Sequence, residues 1–182
     1  KGNDPYFQSL LKQSVEIIKE EVETLRRLTA DFAAFAKLPK LDPKEVNLAD
    51  FLQECKSSTA GRVEELGVSI DFDIPKAKIK ISIDRIMMKR VIDNLIQNAA
   101  EAIVHASVES PLIEVKAKTN RYRGKPEVII TVSDNGPGVP DELRQSIFDP
   151  YFTTKEEGTG LGLAISKKIV LEHGGQILLE EK

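Results

Sequence analysis

Val91-Ile92-Asp93-Asn94-Leu95-Ile96-Gln97-Asn98-Ala99-Ala100-Glu101-Ala102 reads as one long helix. Val91, Ile92, Leu95, Ala99 and Ala102 gather on its core-facing side, while Asn94 and Asn98, four apart, stack one above the other on another face. Asparagine is a poor helix-interior residue, so a stacked pair costs propensity. Two glycine-rich stretches follow, Asp134-Asn135-Gly136-Pro137-Gly138 and Gly158-Thr159-Gly160-Leu161-Gly162-Leu163. In this order and spacing the three pieces describe a pocket for a nucleoside triphosphate and its magnesium ion.

Outward from that helix, helical and strand-like runs alternate. Asp84 can cap the helix, which runs to about Ala106. Before it, a helix from Leu48 to Leu66 has Asn47 as its cap and Gly67 at its end. Val68 to Ile74 and Ile79 to Ile83 alternate apolar and polar residues with the strand period of two. Ile113 to Thr119 and Val128 to Ser133 pair as antiparallel strands across a turn containing Gly124. A last helix, Leu161 to Glu172, ends at His173-Gly174-Gly175, and Gln176 to Leu179 begins a strand. Helices against a mostly antiparallel sheet make an α+β two-layer sandwich.

Ahead of this unit, Tyr6 to Leu38 contains neither Gly nor Pro. Leu11, Ile18, Leu25 and Phe32 recur every seven residues, with Val15, Val22, Leu28 and Phe35 on the same side. Glu16, Lys19, Glu20, Glu23, Arg26 and Arg27 fill the outer face. A single helix cannot bury such a stripe alone. It either docks on the downstream unit or forms one arm of a helical bundle or dimer. Leu38 to Pro43, with two prolines, is a linker, which divides the chain into residues 1–40 and 41–182.

The formal net charge of −3 offers no electrostatic footprint for nucleic acid, and no nucleic-acid partner is expected. No apolar run approaches the roughly 20 residues needed to cross a bilayer. The single cysteine, Cys55, excludes an internal disulfide and fits a reducing compartment. His105 and His173 have no metal-ligand spacing and are expected to be structural. The chain opens at Lys1 and stops on charged residues after a strand-like run, so it is expected to be a fragment of a longer protein.

Each motif has a bland reading and a chemical one. The asparagines are either locally bonded amides or oxygen donors. In the second reading Asn98 gives its carbonyl oxygen to Mg²⁺, which prefers hard oxygens, and Asn94 lies near the same phosphate oxygens or their waters. Asp134 to Gly138 is either a turn or a backbone brought close to a flat ligand, with the Asp134 carboxylate accepting a bond from an exocyclic amine such as adenine N6. The glycines from Gly158 to Gly162 expose backbone N–H groups at a helix N-terminus, where phosphate fits. This is neither a dinucleotide fingerprint, since Leu163 takes the sixth position, nor a Walker A loop. Between them, Phe148 and Phe152 beside Lys155 read as a mobile lid, whose lysine reaches a phosphate as a point charge.

The complete set resembles the sensor histidine kinases of bacterial two-component systems, within the GHKL ATPase superfamily. Asn94 to Ala99 is similar to their N box, Asp134 to Gly138 to the first glycine box, Phe148 to Lys155 to the F box, and Gly158 to Leu163 to the second glycine box. The Phe152-Thr153-Thr154-Lys155 segment and short lid look most like the nitrogen-regulation branch. The resemblance implies a Bergerat ATP-binding fold over residues 41–182, preceded by a long dimerisation-type helix. Asn98 would hold Mg²⁺, with Asn94 and Lys155 completing the catalytic set. Nucleotide would be bound by Asn98, Asp134, Gly136, Gly138, Phe148, Phe152, Thr154, Lys155, Gly158, Thr159, Gly160, Leu161, Gly162 and Leu163. Residues 1–40 would supply the second helix of a dimerisation and histidine-phosphotransfer hairpin plus the linker.

The same resemblance implies a kinase that moves the γ-phosphoryl group of Mg-ATP to a histidine on an upstream helix, for relay to a response-regulator aspartate. A homodimer would form through the hairpin helices. The piece would be the cytoplasmic portion of a parent that can be anchored in the inner membrane. Three departures stand out: the His-Glu/Asp-x-x-x-Pro box is absent, the closing C-terminal strand is missing, and Glu101 stands where many relatives place a basic residue. Family members that hydrolyse ATP place a glutamate four residues before the magnesium asparagine. Here Asn94 takes that position, so hydrolysis to water is disfavoured. The rival reading is a nucleotide-gated module that holds ATP without phosphotransfer.

Overall fold

The structure, a computed structural model, describes residues 5–36, 40–122, 124–155 and 158–180. Its elements run α1 Pro5–Ala36, β1 Lys44–Asn47, α2 Leu48–Glu65, β2 Ser69–Asp73, β3 Lys80–Ile83, α3 Arg85–His105, β4 Leu112–Tyr122, β5 Lys125–Asp134, a 3-10 turn at Asp141–Leu143, and α4 Gly162–Glu172. The break expected at Pro39 lies outside the described residues, and residues 40–43 carry neither helix nor strand.

Polar caps set where the two core helices begin. Asn47 Oδ1 accepts the Ala49 N–H at 2.8 Å and starts α2. Asp84 Oδ1 accepts the Met87 N–H at 3.1 Å and starts α3. Gly67 follows α2 with φ +74°, a left-handed turn that suits a residue without Cβ. Both caps and the terminating glycine agree with the sequence reading.

The strands form two sheets. β1 and β3 pair antiparallel, Lys44 opposite Ile83 and Asn47 opposite Lys80. The larger sheet has the order β2-β4-β5. β4 and β5 pair antiparallel from Ile113–Asp134 to Tyr122–Lys125, but β2 and β4 run parallel, Ser69 opposite Leu112. A parallel pair needs a long crossover, and β3 with α3 provides it. The β4–β5 hairpin extends past the expected strand ends and turns at Gly124, φ +80°.

Helices α2 and α3 cover one face of this sheet, which makes the two layers. Leu48, Phe51, Leu52, Cys55 and Val63 from α2 meet Ile92, Ile96, Ala99, Ala100 and Ile103 from α3, with Phe72, Ile113 and Val115 from the sheet. Here the expected core face of α3 is corrected. Ile96, Ala100 and Ile103 are buried, whereas Leu95 and Ala102 are only half-buried. A second cluster, Val91 with Leu161, Ile165 and Ile169, binds α4 to α3, and Leu95 packs against that cluster. The α3 surface therefore serves two neighbours, and its apolar stripe is wider than one face.

Two expectations fail or stay open. Gln176 to Leu179 is not a strand: among the described residues no ladder receives it, and Leu178 stays exposed. Alternation of apolar and polar residues makes a strand only when a free edge accepts its N–H and C=O groups. The stripe of α1 is largely open to solvent, with Leu11, Val15, Ile18, Val22, Leu25 and Phe32 all exposed. The helix touches α4, and the side chains of Glu20, Arg27 and Phe35 lie outside the described residues. Glu16 pairs with Lys19 and Glu23 with Arg26 on the outer face, as the charge pattern indicates. No helix among the described residues is long and apolar enough to cross a membrane.

Asp84 joins three segments. Its Oδ2 accepts the Asp42 N–H at 3.0 Å, and its own N–H donates to His173 Nε2 at 2.9 Å. Since Nε2 accepts, the His173 proton sits on Nδ1, which donates to the Ile169 carbonyl at 2.8 Å. The bonds from Asp42 and Met87 hold the Asp84 carboxyl below its ordinary value of 3.8. Its contribution to stability is therefore complete above that value and lost as pH falls through the lowered folded value. Urea unfolding across a pH series should show Asp84→Asn, which retains a cap, with a flatter acid limb than the wild type. At neutral pH Asp84→Ala should cost about 1 kcal/mol. In the same assay Phe51→Ala, fully buried in the native core, should cost about 3–5 kcal/mol.

Candidate functional site

Three surfaces of the sandwich lie along α3. The first is the strip of α3 itself: Asn94, Asn98 and Glu101 are half-buried and spaced for a single face. Asn94 donates from Nδ2 to the hydroxyl of Ser166 on α4 at 3.0 Å. Asn98 directs its Oδ1 to the Lys155 ammonium at 2.9 Å. Glu101 accepts the Gln97 amide on Oε1 at 2.7 Å and pairs through Oε2 with the same Lys155. Two hard oxygens thus converge on a cationic atom. An ammonium stands there for a cation, and the donor set suits magnesium, which takes few protein oxygens and completes its shell with water and phosphate. No cluster of three or more His, Cys, Asp or Glu that could hold a metal exists among the described residues.

The second surface is the end of β5. Asp134, paired with buried Ile113, accepts the Gly136 N–H on Oδ1 at 2.9 Å. A Cβ on Gly136 would lie 2.8 Å from that oxygen and 3.5 Å from the Ile103 side chain of α3. A side chain at this position would therefore have to push the Asp134 carboxylate from its bond to the loop. Asn135 anchors the loop by donating to the Ser110 carbonyl at 3.0 Å and accepting the Leu112 N–H at 2.9 Å. Gly138 sits at φ +77°.

The third surface is the lid and the start of α4. The Tyr151 N–H donates to the Gly160 carbonyl at 2.9 Å, drawing the two lid ends together. Gly160 has φ +64°, and a Cβ there would lie 2.4 Å from the Tyr151 carbonyl carbon. Tyr151 itself adopts φ 66°, so strain is concentrated at the lid base. Within the lid, the Lys155 N–H donates to Thr153 Oγ1 at 3.1 Å. A Cβ on Gly158 would lie 2.2 Å from that same hydroxyl. Phe148 and Phe152 are half-buried, and the Lys167 ammonium of α4 lies 5.6 Å from the Phe148 ring centre. Thr154 is exposed, while Thr159 Oγ1 accepts the Leu161 N–H at 3.2 Å.

Unlike α2 and α3, helix α4 starts without a side-chain cap: Leu161 holds the cap position and makes no such bond. The first N–H groups of a helix have no intrahelical acceptor, so this end is suited to an anion. Gly162 brings it onto α3, where a Cβ would come within 2.5 Å of Asn94 Oδ1. Leu163, half-buried, follows on the first turn. The anion-receptive helix end and the cation-facing oxygen of Asn98 are therefore one turn of α3 apart.

The structure joins Asn98 to Lys155 directly and Asn94 to the start of α4, but Asp134 reaches Gly136 rather than the α3 strip. A cavity of about 350 Å³ lies elsewhere, between α1 and the lid, lined by Leu28, Thr29, Phe32, Tyr151, Thr159 and Leu161. A smaller one of about 50 Å³, lined by Arg90, Asn94, Gly162, Ile165 and Ser166, has room for little more than a water or two. Sequence reading missed Ser166 and the acceptor role of Glu101. The i, i+3 spacing of Asn98 and Glu101 was the available signal for the second. Ser166 offered none, because its partner lies 72 residues away.

Residues 83–182, more than half of the chain, match the family of histidine kinase-, DNA gyrase B-, and HSP90-like ATPases. The nitrogen regulation protein NtrY of Azorhizobium caulinodans is 32% identical over 96% of this chain, which spans only 22% of that protein. The solved nucleotide-free catalytic domain of histidine kinase ThkA is 32% identical with a TM-score of 0.63, covering 78% of this chain and 88% of its own. ThkA in complex with the response regulator protein TrrA superposes with a TM-score of 0.74 at 28% identity, over 99% of this chain and 49% of that one. By this match and these likenesses the chain belongs to the histidine kinase-, DNA gyrase B-, and HSP90-like ATPases, as an ATP-binding catalytic domain of the histidine-kinase type.

Proposed function

We propose that this chain binds Mg-ATP and delivers its γ-phosphoryl group to a histidine on a helix upstream of α1, for relay to a response-regulator aspartate. The observation that carries this reading is the juxtaposition on α3: a cation-facing Asn98 oxygen lies one turn from the uncapped end of α4. Asp134 would accept a bond from the adenine amine, on Oδ2, since Oδ1 is taken by Gly136. Asn98 would hold Mg²⁺, which when bound neutralises phosphate charge. The backbone amides at Gly160 and Gly162, with Gly158, Thr159, Leu161 and Leu163 around them, would hold the phosphates. Phosphoryl transfer demands mostly positioning and charge neutralisation, and the Asn98 oxygen with the α4 N-terminus supports a reading in which the site supplies both.

His173 is unsuited as the acceptor, because both ring nitrogens are engaged in holding α3 to α4. The exposed stripe of α1 supports residues 1–40 as one helix of a dimerisation hairpin, with residues 41–182 as the catalytic unit. ThkA bound to its regulator supports a response regulator as partner. A nucleotide-gated module that holds ATP without transfer is the second reading, in keeping with the Asn94–Ser166 bond, which ties α3 to α4 and could pass a change at the nucleotide site between the two helices.

Calorimetry of this chain should show Asp134→Ala weakening ATP by about 2–3 kcal/mol, on the order of a hundredfold, with the fold unchanged by circular dichroism. Asn98→Ala should remove the difference in ATP affinity between magnesium and chelator. Unchanged affinity in both variants would place the nucleotide elsewhere. Incubated with γ-labelled ATP, the parent protein should acquire an acid-labile, base-stable label that disappears when its upstream histidine is replaced. ATP binding without that label would favour the gated module.

A further inference from the structure

The Lys155 ammonium reaches α3 from the lid and meets two acceptors there, Asn98 Oδ1 at 2.9 Å and the Glu101 carboxylate. The lysine lies 57 and 54 residues from them in sequence, so no local helical geometry imposes the contact. Glu101 is braced for it, since Gln97 holds its other oxygen from one helical turn back. Thr153 fixes the lysine's own backbone through its N–H. An ammonium on Asn98 Oδ1 and a magnesium ion on the same oxygen would place like charges within a few ångströms of each other, closer than a Debye length, where even an exposed pair repels. The two cations are alternatives.

We propose that Glu101 is a positioning residue that seats Lys155 on the cation-facing oxygen of Asn98, so that an internal ammonium tethers the lid to α3 and magnesium must displace it. This rests on the reading of Asn98 as the magnesium oxygen. Two consequences follow from the charges. The carboxylate of Glu101 is neutralised by Lys155 before nucleotide arrives, and magnesium takes over that neutralisation when the lysine leaves. The released lysine, still carried on the lid, becomes available to a phosphate. Loading of the site and release of the lid are then one event, driven by exchange of cations.

Hydrogen exchange of the nucleotide-free 182-residue chain, followed at the lid amides from Phe148 to Lys155, tests this without any activity readout. Lys155→Met and Glu101→Gln should each raise lid exchange about fivefold, the upper end of what an exposed ion pair supplies. The charge-exchanged double variant, Glu101→Lys with Lys155→Glu, should restore protection by re-forming the pair. Magnesium chloride at millimolar concentration and constant ionic strength should raise exchange in the wild type and leave Lys155→Met unchanged. Wild-type lid exchange in Lys155→Met would overturn the tether, and a wild-type lid insensitive to magnesium would overturn the competition. Failure of the ATP reading is separate: it would appear as absent ATP binding by calorimetry, with the lid still responding to the substitutions.

Discussion

The first turn of α3 holds N–H groups that no helical carbonyl can satisfy, and Asp84 settles several obligations at that point. Its carboxylate caps α3 and accepts the N–H of Asp42, while its own N–H goes to His173 at the end of α4. The histidine is locked as one tautomer because its second nitrogen must donate to Ile169. One residue thus ties the entry to the catalytic unit, the start of its central helix and the end of its last helix. The positions of Asn98 on α3 and of the α4 N-terminus are set relative to each other by this joint and by the Val91, Leu161, Ile165 and Ile169 cluster between the two helices.

From that frame, the chemistry follows from which polar groups are satisfied internally. Asn47 and Asp84 close the ends of α2 and α3, both of which pack into the core. The end of α4 has no such side chain. A helix whose cap residue offers no side-chain acceptor, close to an amide oxygen already engaged by a cation, is the arrangement that the proposed pairing of phosphate with magnesium requires. Gly162 leaves room for Asn94 here, because a Cβ at that position would force the Asn94 amide to move.

Most of the secondary structure was legible because its signals are local. Caps at Asn47 and Asp84, the left-handed glycines at 67 and 124, and the period of two in β2 and β3 depend on neighbours a few residues away. The α3 core face was less legible. Leu95 and Ile96 look alike in sequence, and only the presence of α4 on one flank and the sheet on the other assigns each to its cluster. Gln176 to Leu179 carries a strand pattern without an edge to join. In the site, residue types and spacing singled out Asn98, Asp134 and the glycines as candidates, but the resting place of Lys155 depends on a fold-back of more than 50 residues. Charge alone pointed that lysine to phosphate; the carboxylate on α3 gives it a prior partner.

Cys55 is fully buried between α2 and the core, and burial, with Asp93 adding to it, pushes its thiol up to about 12. The reactive thiolate is therefore strongly disfavoured at neutral pH. The chain's single native sulfhydryl is thus silent toward maleimides and spin labels while the domain stays folded. A cysteine introduced on the exposed lid or along α1 would take up a probe alone, with no need to remove the native one and disturb the core around Phe51. The domain is in effect already prepared for distance measurements between its lid and its long helix.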